Sequence, residues 1–478
     1  MAPQQLKRLR VHPSRGLLFA AVCFAWACSA SEPVAADPPG AYRPPSPEPG
    51  AVETLLLEFI NRCRANPNED AARALSGKPL PPTVDSKMFQ REMLEEKPAS
   101  PLLFDLRLIK AARWHSHYQI LHGQVHDEEP GKKGFTGNTA SDRMQAAGFP
   151  RAAWSENIFA TATDPWRSHL AFVVDWGPGP GGMQAGRGHR KNIMNTGMNV
   201  IGVGAVPRES DGKFAVTHVF SKTNQRLVGG VVYNDLNRNR FYDLGEGAAG
   251  IQLTIGGDDV VSWTSGAYTA PVPAEASKIE FTLASKRYAA YLPGDKGNIK
   301  VDVILTDKAA FDLGEQMLAR VKKLPDTETA KSRRFTALVE LYFATQGRFV
   351  ESAALDEIAQ LTKPIRAELE QDQNEIRQAA SGTEIAAAKQ RARAVAKKYY
   401  RGRAYPWFAE AEAALTIKES YLRLKQLKDA GKPVSRALVD RAVKGMTQRY
   451  LRLTVPEWKQ FAYALGAATL ELAPAKSP

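Results

Sequence analysis

Asp235-Leu236-Asn237-Arg238-Asn239-Arg240-Phe241-Tyr242-Asp243-Leu244-Gly245-Glu246 carries oxygen donors in a fixed series. Side-chain oxygens stand at positions 1, 3, 5, 9 and 12, and Phe241 at position 7 offers its backbone carbonyl. A loop of this spacing wraps a hard cation. Asp235, Asn237, Asn239, Phe241, Asp243 and Glu246 are therefore read as a calcium set of the EF-hand type. One departure stands out: the sharp turn at position 6 usually uses Gly, and here Arg240 must adopt it at about 1 kcal/mol. A strand, Val228 to Tyr233, precedes the loop, so calcium is expected to stiffen a joint between domains rather than report a signal.

A second set is built on imidazole: Val125-His126-Asp127, Trp154-Ser155-Glu156-Asn157-Ile158, Gly188-His189-Arg190-Lys191-Asn192-Ile193 and Ile201-Gly202-Val203-Gly204. With them come Leu55-Leu56-Leu57-Glu58-Phe59-Ile60-Asn61-Arg62, Pro101-Leu102-Leu103-Phe104, Ala111-Ala112-Arg113-Trp114-His115-Ser116 and Ser141-Asp142-Arg143-Met144 running into Ala147-Gly148-Phe149. This ordered set, from about Ala51 to Lys222, resembles the CAP superfamily of secreted proteins. The superfamily takes in cysteine-rich secretory proteins, antigen 5 allergens, plant pathogenesis-related proteins and bacterial SCP-domain relatives. The resemblance implies an α-β-α sandwich in which two histidines and two acids from separate elements meet in a surface cleft. His126, Glu156 and His189 fall where the motifs place three of them, and Asp175 in Val174-Asp175-Trp176 is the candidate for the fourth. The run Gly177-Pro178-Gly179-Pro180-Gly181-Gly182 departs from the bacterial spacing and puts the register of Asp175 in question.

Two neutral imidazoles suit zinc or another borderline divalent ion. The carboxylates then have three possible roles: to orient the rings, complete the coordination, or hold the rings protonated. A hydrolase would use Glu156 as general base on a metal-bound water. No nucleophile accompanies it, because neither Ser116 nor Ser155 lies in a Gly-x-Ser-x-Gly turn and Cys63 reads as a packed helix residue. The pattern favours a binding module over an enzyme. His122 competes as a ligand only if its helix continues through Gly123, and Gly123 favours a break. His169 and His218 are expected at the surface or as satisfied strand residues, Asn157 and Asn192 as backbone-bonding turn and cap residues, and Arg190 and Lys191 as a solvated edge or an anion contact.

The elements that must position these residues belong to a chain of 478, long enough for about three domains. Lys7, Arg8, Arg10 and Arg15 precede an apolar run from Leu17 to Ala27, which reads as a signal peptide over residues 1–30 and implies export, either secreted or periplasmic. Ala27-Cys28 also suggests a lipoprotein cleavage, without the usual aliphatic residue before it. Cys23 and Cys28 lie in this region, so a soluble mature form keeps Cys63 alone and depends on packed cores rather than disulfides. Residues 31–50 read as a Pro-rich linker. The formal charge of +13 favours anionic surfaces.

The fold class expected is multidomain α+β. An α-β-α sandwich over 51–224 is followed by a small β-sandwich over 225–305 and an all-α helical region over 306–478. Helical periodicity begins at Leu55, Leu56, Phe59 and Ile60, and Val200–Val206 and Phe214–Phe220 alternate as paired strands about Ser210-Asp211-Gly212. Gly230-Val231-Val232-Tyr233-Asn234-Asp235, with Gly245-Glu246 and Ala249-Gly250-Ile251, resembles the B-type domains of bacterial surface adhesins, and their calcium loops in particular. Helices are expected over Phe335–Thr345, Leu355–Arg377, Glu384–Tyr400, Phe408–Lys428, Ser435–Arg452 and Glu457–Leu472. Lys389, Arg391, Arg393, Lys397, Lys398, Arg401 and Arg403 run without an acid between them, interleaved with Tyr399, Tyr400, Tyr405, Trp407 and Phe408. They read either as a solvated helix face before core aromatics or as a site for an anionic cell-envelope polymer, and export makes nucleic acid a poor partner. The leading function is an exported module binding a lipid, glycan or protein. A metal-assisted hydrolase of peptide or envelope material and an adhesin with an inert cleft are the alternatives.

Overall fold

The computed structural model describes residues 37–77, 79–274, 276–292, 297–325, 331–345, 348–399, 406–450, 453, 456–470 and 472–473. The targeting segment, with Cys23 and Cys28, lies outside the described residues, as do Tyr400, Arg401, Arg403 and Tyr405 of the basic run.

The first segment runs α1 (Ala51–Ala65), α2 (Pro67–Ser76), α3 (Ser86–Glu95), β1 (Leu103–Phe104), α4 (Leu106–His122), α5 (Ala140–Ala146), β2 (Trp154–Ala162), α6 (Pro165–Val174), α7 (Gly188–Met194), β3 (Val200–Arg208) and β4 (Lys213–Ser221). Local chemistry sets its helix ends. Asn66, Asp105 and Asp164 accept backbone N–H groups at the starts of α2, α4 and α6, and Thr139 and Asp142 form a reciprocal cap on α5. The sheet order is β1-β3-β4-β2, with β1 parallel to β3 and the other pairs antiparallel.

Alternation along β3 gives the sheet two covered faces. Ile201 and Val203 join Leu56 and Ile60 of α1 and Phe172 of α6 in one core, while Val200 packs with Leu108 and Ala112 of α4 in another. Between them Gly202 and Gly204 let α4 lie flush on the strand. A Cβ at Gly202 would sit 2.0 Å from the Leu108 carbonyl carbon, and one at Gly204 would sit 2.4 Å from the Arg113 nitrogen. Helices on both faces of a short sheet make the expected α-β-α sandwich.

Residues 37–50, expected as part of a linker, instead lie along α4. Asp37 pairs with Lys110, Tyr42 stacks on His117 at 5.1 Å, and Arg113 donates to the Ser46 and Glu48 carbonyls. Arg113 and Trp114 present donors that an extended Pro-rich strap, poor in internal hydrogen bonds, can satisfy.

Eight strands follow: β5 (Leu227–Tyr233), β6 (Gln252–Ile255), β7 (Asp258–Val261), β8 (Ala267–Pro271), β9 (Lys278–Leu283), β10 (Lys286–Tyr291), β11 (Ile299–Lys300) and β12 (Val303–Ile304). β5 pairs with β8, β11 and β12, and β6, β7, β9 and β10 form a second sheet. Val228, Val232 and Tyr268 of one meet Leu253, Ile255 and Phe281 of the other in a common core. That core does not end at residue 305. Phe311 of α8 (Lys308–Lys322) and Phe349 enter it. After α9 (Lys331–Thr345), β13 (Val350–Glu351) adds an edge strand to β10.

The remaining helices are α10 (Ser352–Gln378), α11 (Gly382–Tyr399), α12 (Pro406–Asp429), α13 (Arg436–Tyr450) and α14 (Pro456–Leu470). They close on Ile376, Ile385, Trp407, Leu415 and Trp458. Three cations of the basic run are answered in space. Lys389 pairs with Glu419 at 2.6 Å, Arg391 with Asp372 at 2.5 Å and with Glu375, and Arg393 with Glu412. Acids distant in sequence thus neutralise cations that stand together along α11.

The β-sandwich sits against the first segment. Thr54 of α1 donates to Ser265 at 2.8 Å, Lys300 pairs with Glu58 at 2.8 Å, and Phe59 stacks on Phe241 at 5.5 Å. Among the described residues no helix is long and apolar enough to cross a membrane.

Candidate functional site

Gly123, at φ 89°, ends α4 at His122 and turns the chain away from the helix axis. Gln124 accepts the Ala160 N–H and Val125 accepts from His115, so the loop is laid along β2 and His126 is delivered to Glu156. His122 goes elsewhere, bonding the Lys133 carbonyl. His126 Nδ1 lies 3.0 Å from Glu156 Oε1, with the imidazole more than half exposed and the carboxylate buried.

His189 enters from the start of α7. Asp175 closes α6 in the left-handed conformation at φ 58°, which aims its side chain at the next helix. Its Oδ1 is 2.8 Å from His189 Nδ1, and its Oδ2 accepts the His189 N–H at 3.0 Å. The Gly-Pro run therefore returns the chain with Asp175 in register. Asn157 and Asn192 join the two pairs: Asn157 donates to the His189 carbonyl, and Asn192 donates to the Glu156 carbonyl and to Asn157 Oδ1. Both bond backbone as expected, but Asn157 lies within β2 and Asn192 within α7 rather than in a turn or at a cap.

Each imidazole sets Nδ1 against a carboxylate, which leaves Nε2 outside the pair. Both acids are fully engaged. Glu156 gives Oε1 to His126 and Oε2 to Arg143 at 2.6 Å, and both Asp175 oxygens serve His189. In this arrangement the acids orient the rings, and the two Nε2 atoms are the donors left for an ion. Burial alone would raise the Glu156 pKa, but Arg143, His115 and His126 hold the carboxyl below its ordinary value. Such a carboxylate is a poor general base at neutral pH.

Behind Glu156 lies a buried network in which sequence reasoning assigned no role. His115 Nδ1 is 3.0 Å from Glu128 Oε1, and its Nε2 is 2.9 Å from the Val125 carbonyl. Glu128 also accepts the Thr136 N–H at 2.6 Å, and Arg143 Nε stands 3.7 Å from it. Arg143 and His115 thus face two acidic side chains out of water, which fixes Glu156 and, through it, His126. The available signal was weak: Arg143 stands in Ser141-Asp142-Arg143-Met144, and Glu128 follows His126 by two residues.

Other expectations are corrected by burial. His169 is buried in α6 and bonds Asp70 at 2.8 Å. His218 is buried in β4 with neither ring nitrogen partnered, and burial pushes its imidazole down to about 3. Arg190 is a buried tie, donating to the Val173 and Val174 carbonyls and pairing with Glu92 at 2.6 Å. Ser116 is taken up by Gly204 and Thr217, and burial pushes the Cys63 thiol well up, so neither offers an activated nucleophile.

Among the described residues, the one group of three or more His, Cys, Asp or Glu donors within 4.8 Å of one another is Cys63, Asp70 and His169. His126, Glu156, Asp175 and His189 are therefore two linked pairs rather than one tight quartet. The buried trio fits a metal badly. An ion on His169 Nε2 would require its Nδ1 to donate, and that atom has no acceptor.

In the loop after β5, the Asn237 and Asn239 amides both reach Asp243 Oδ2 at 2.7 Å. Asp235 accepts the Asn239 and Arg240 N–H groups, and Glu246 accepts those of Leu236 and Asp243. Arg240 takes the left-handed turn at φ 57°. Phe241, whose carbonyl was counted as a donor, presses its ring on Phe59 and under Arg62.

Residues 57–220 match the model of the CAP family, the cysteine-rich secretory protein family. Over that stretch the chain is similar to CAP proteins. The matched stretch is about a third of the chain and contains both His–acid pairs. No curated protein and no solved structure gives a significant match to the chain.

Proposed function

We propose that this is an exported, non-enzymatic binding protein whose CAP segment presents a divalent-metal cleft to a lipid, glycan or protein partner. The observation that carries the reading is the pairing of both acids. With Glu156 and Asp175 saturated by hydrogen bonds, His126 and His189 are held with Nε2 available, as carboxylate–histidine pairs are in metal sites. Zinc fits two such nitrogens with water completing its shell, and it would supply a Lewis-acidic contact for a partner's oxygen. In this reading the chain's own residues bind and orient the ion and the partner.

The carrier loop at 235–246 supports a calcium ion in the same reading. What supports it is five oxygen-bearing side chains within one twelve-residue loop, tied by bonds among themselves and to the loop backbone, and a Phe241 ring that touches α1. Calcium there would hold the β-sandwich to the CAP segment.

Full-length protein, assayed with and without zinc, is expected to hydrolyse no peptide, ester or cell-wall substrate. Zinc-dependent turnover that a Glu156→Gln variant loses while still binding zinc would replace this reading with the hydrolase.

A further inference from the structure

We infer that the hairpin formed by the second half of α12 and by α13, separate from the imidazole cleft, is a docking surface for an acidic polysaccharide. Residues 421–450 carry eight Lys and Arg against two Asp, a surplus of six of the chain's thirteen net positive charges. Gly431, at φ 67°, reverses the chain between the two helices, and Met446 returns to the core that holds Leu415 and Ile417. One short hairpin thus concentrates nearly half of the net charge.

Packing sends that charge outward. Leu424 and Val439 are buried, whereas Arg423, Lys425, Lys432, Arg441 and Lys444 are all exposed. None of these five has an ion pair among the described residues, while Arg436 is held by Asp440 at 2.9 Å. The neighbouring helix differs. On α11, Lys389 and Arg393 are met by Glu419 and Glu412 from the first half of α12, and Arg391 by Asp372 from α10. Arg441 and Lys444 share a helix face at three-residue spacing, where like charges destabilise the helix. The fold therefore sustains a self-repulsion that an external anion relieves, and cations repeated along two helices match an anion that repeats its charge.

The rest of the surface selects among polyanions. A bilayer-seeking helix presents apolar side chains for insertion, yet among the described residues no large hydrophobic of this hairpin is exposed. Single-stranded nucleic acid draws affinity from bases stacked on open aromatic rings, and Tyr421 and Tyr450 are instead packed against the helical core. What the surface offers is ammonium and guanidinium groups on a polar ground. A polysaccharide with a carboxylate on successive sugars fits it, since its acids take charge-assisted hydrogen bonds and its hydroxyls stay in water.

Polygalacturonate is the probe, titrated into the full chain by calorimetry beside dextran, polythymidylate and phosphatidylglycerol vesicles. Saturable binding of polygalacturonate is expected, tighter than that of the other three and weakened at least about tenfold between about 50 and 200 mM salt. Arg441→Glu/Lys444→Glu should weaken it by about tenfold or more. Lys133→Glu/Arg151→Glu, which makes the same change of net charge at exposed positions of the CAP-like segment, should leave it within about twofold. Melting curves report whether each variant folds, and Lys425→Glu/Lys432→Glu gives the same readout from α12 and the turn if the α13 pair does not fold. Absence of saturable binding at low salt, equal or tighter binding of dextran, polythymidylate or vesicles, or equal weakening by reversals on the hairpin and on the CAP-like segment overturns the inference.

Discussion

A buried histidine without partners is a liability that shows itself only in acid. Burial holds His218 near 3 in the folded protein, whereas the unfolded chain protonates it near its ordinary 6.5. A depressed histidine contributes its stability in full above 6.5 and loses it as pH falls from 6.5 toward 3, because the unfolded state takes up the proton first. The loss is about 1.4 kcal/mol per pH unit in that window. Denaturant unfolding at pH 7, 6 and 5 is expected to show this slope, and His218→Leu should flatten it without loss at pH 7, since neither ring nitrogen bonds anything. An unchanged slope in the variant would show that other groups carry the acid sensitivity. At this scale, sequence reading found the residues whose partners are local or lie inside a motif: Asp175 beside Gly188-His189, and Gly123 breaking α4. It missed His115, because a histidine flanked by ordinary helix residues becomes a network centre only when Glu128 and Val125 are folded over it.

The loop after β5 shows how far spacing reaches at the level of elements. The positions of its oxygens and the left-handed Arg240 were legible, because both follow from the geometry of one tight loop. Its neighbour was not: Phe241 stacks on Phe59 across 182 positions of chain, 241 minus 59. Millimolar calcium is expected to raise the melting temperature of the full chain by mass action, and Glu246→Gln should remove the response. Identical melting of the wild type with and without calcium would dismiss the ion. The full chain is the proper specimen, because β13 and Phe311 complete the sandwich from beyond residue 305. The same limit explains the helical region. Six of its helices follow from periodicity, whereas α8 was not anticipated and the acids that answer Lys389, Arg391 and Arg393 are placed only by folding.

Across the whole molecule, the CAP-like segment and β-sandwich share buried chemistry rather than meeting through a free stalk. Burial pushes the Glu58 carboxyl up to about 7 against the pull of Lys300, whose own pKa the carboxylates raise. A raised acid keeps in the fold a proton that the unfolded chain gives up near 4.5. Its stabilisation is full below that value and is lost as pH rises from 4.5 through 7. Glu58→Gln should therefore remove a fall in stability across that window, measured by the melting temperature at pH 5, 6 and 7. A wild-type slope in the variant would place the titration elsewhere. The strap at 37–50 strengthens the same joint, since Glu48 accepts both the N–H and the hydroxyl of Thr264. Composition pointed to a spacer there, and only the donors of Arg113 and Trp114 explain why it is bound down.

The central claim is that His126 and His189 are metal donors while Glu156 and Asp175 orient them. Anomalous diffraction at the zinc edge from soaked crystals of the full chain tests it most directly. The account predicts a peak bonded to Nε2 of His126 and of His189, lost when both are replaced by Ala with the fold intact. A peak at Cys63, Asp70 and His169 instead, or no peak at either histidine, would contradict it.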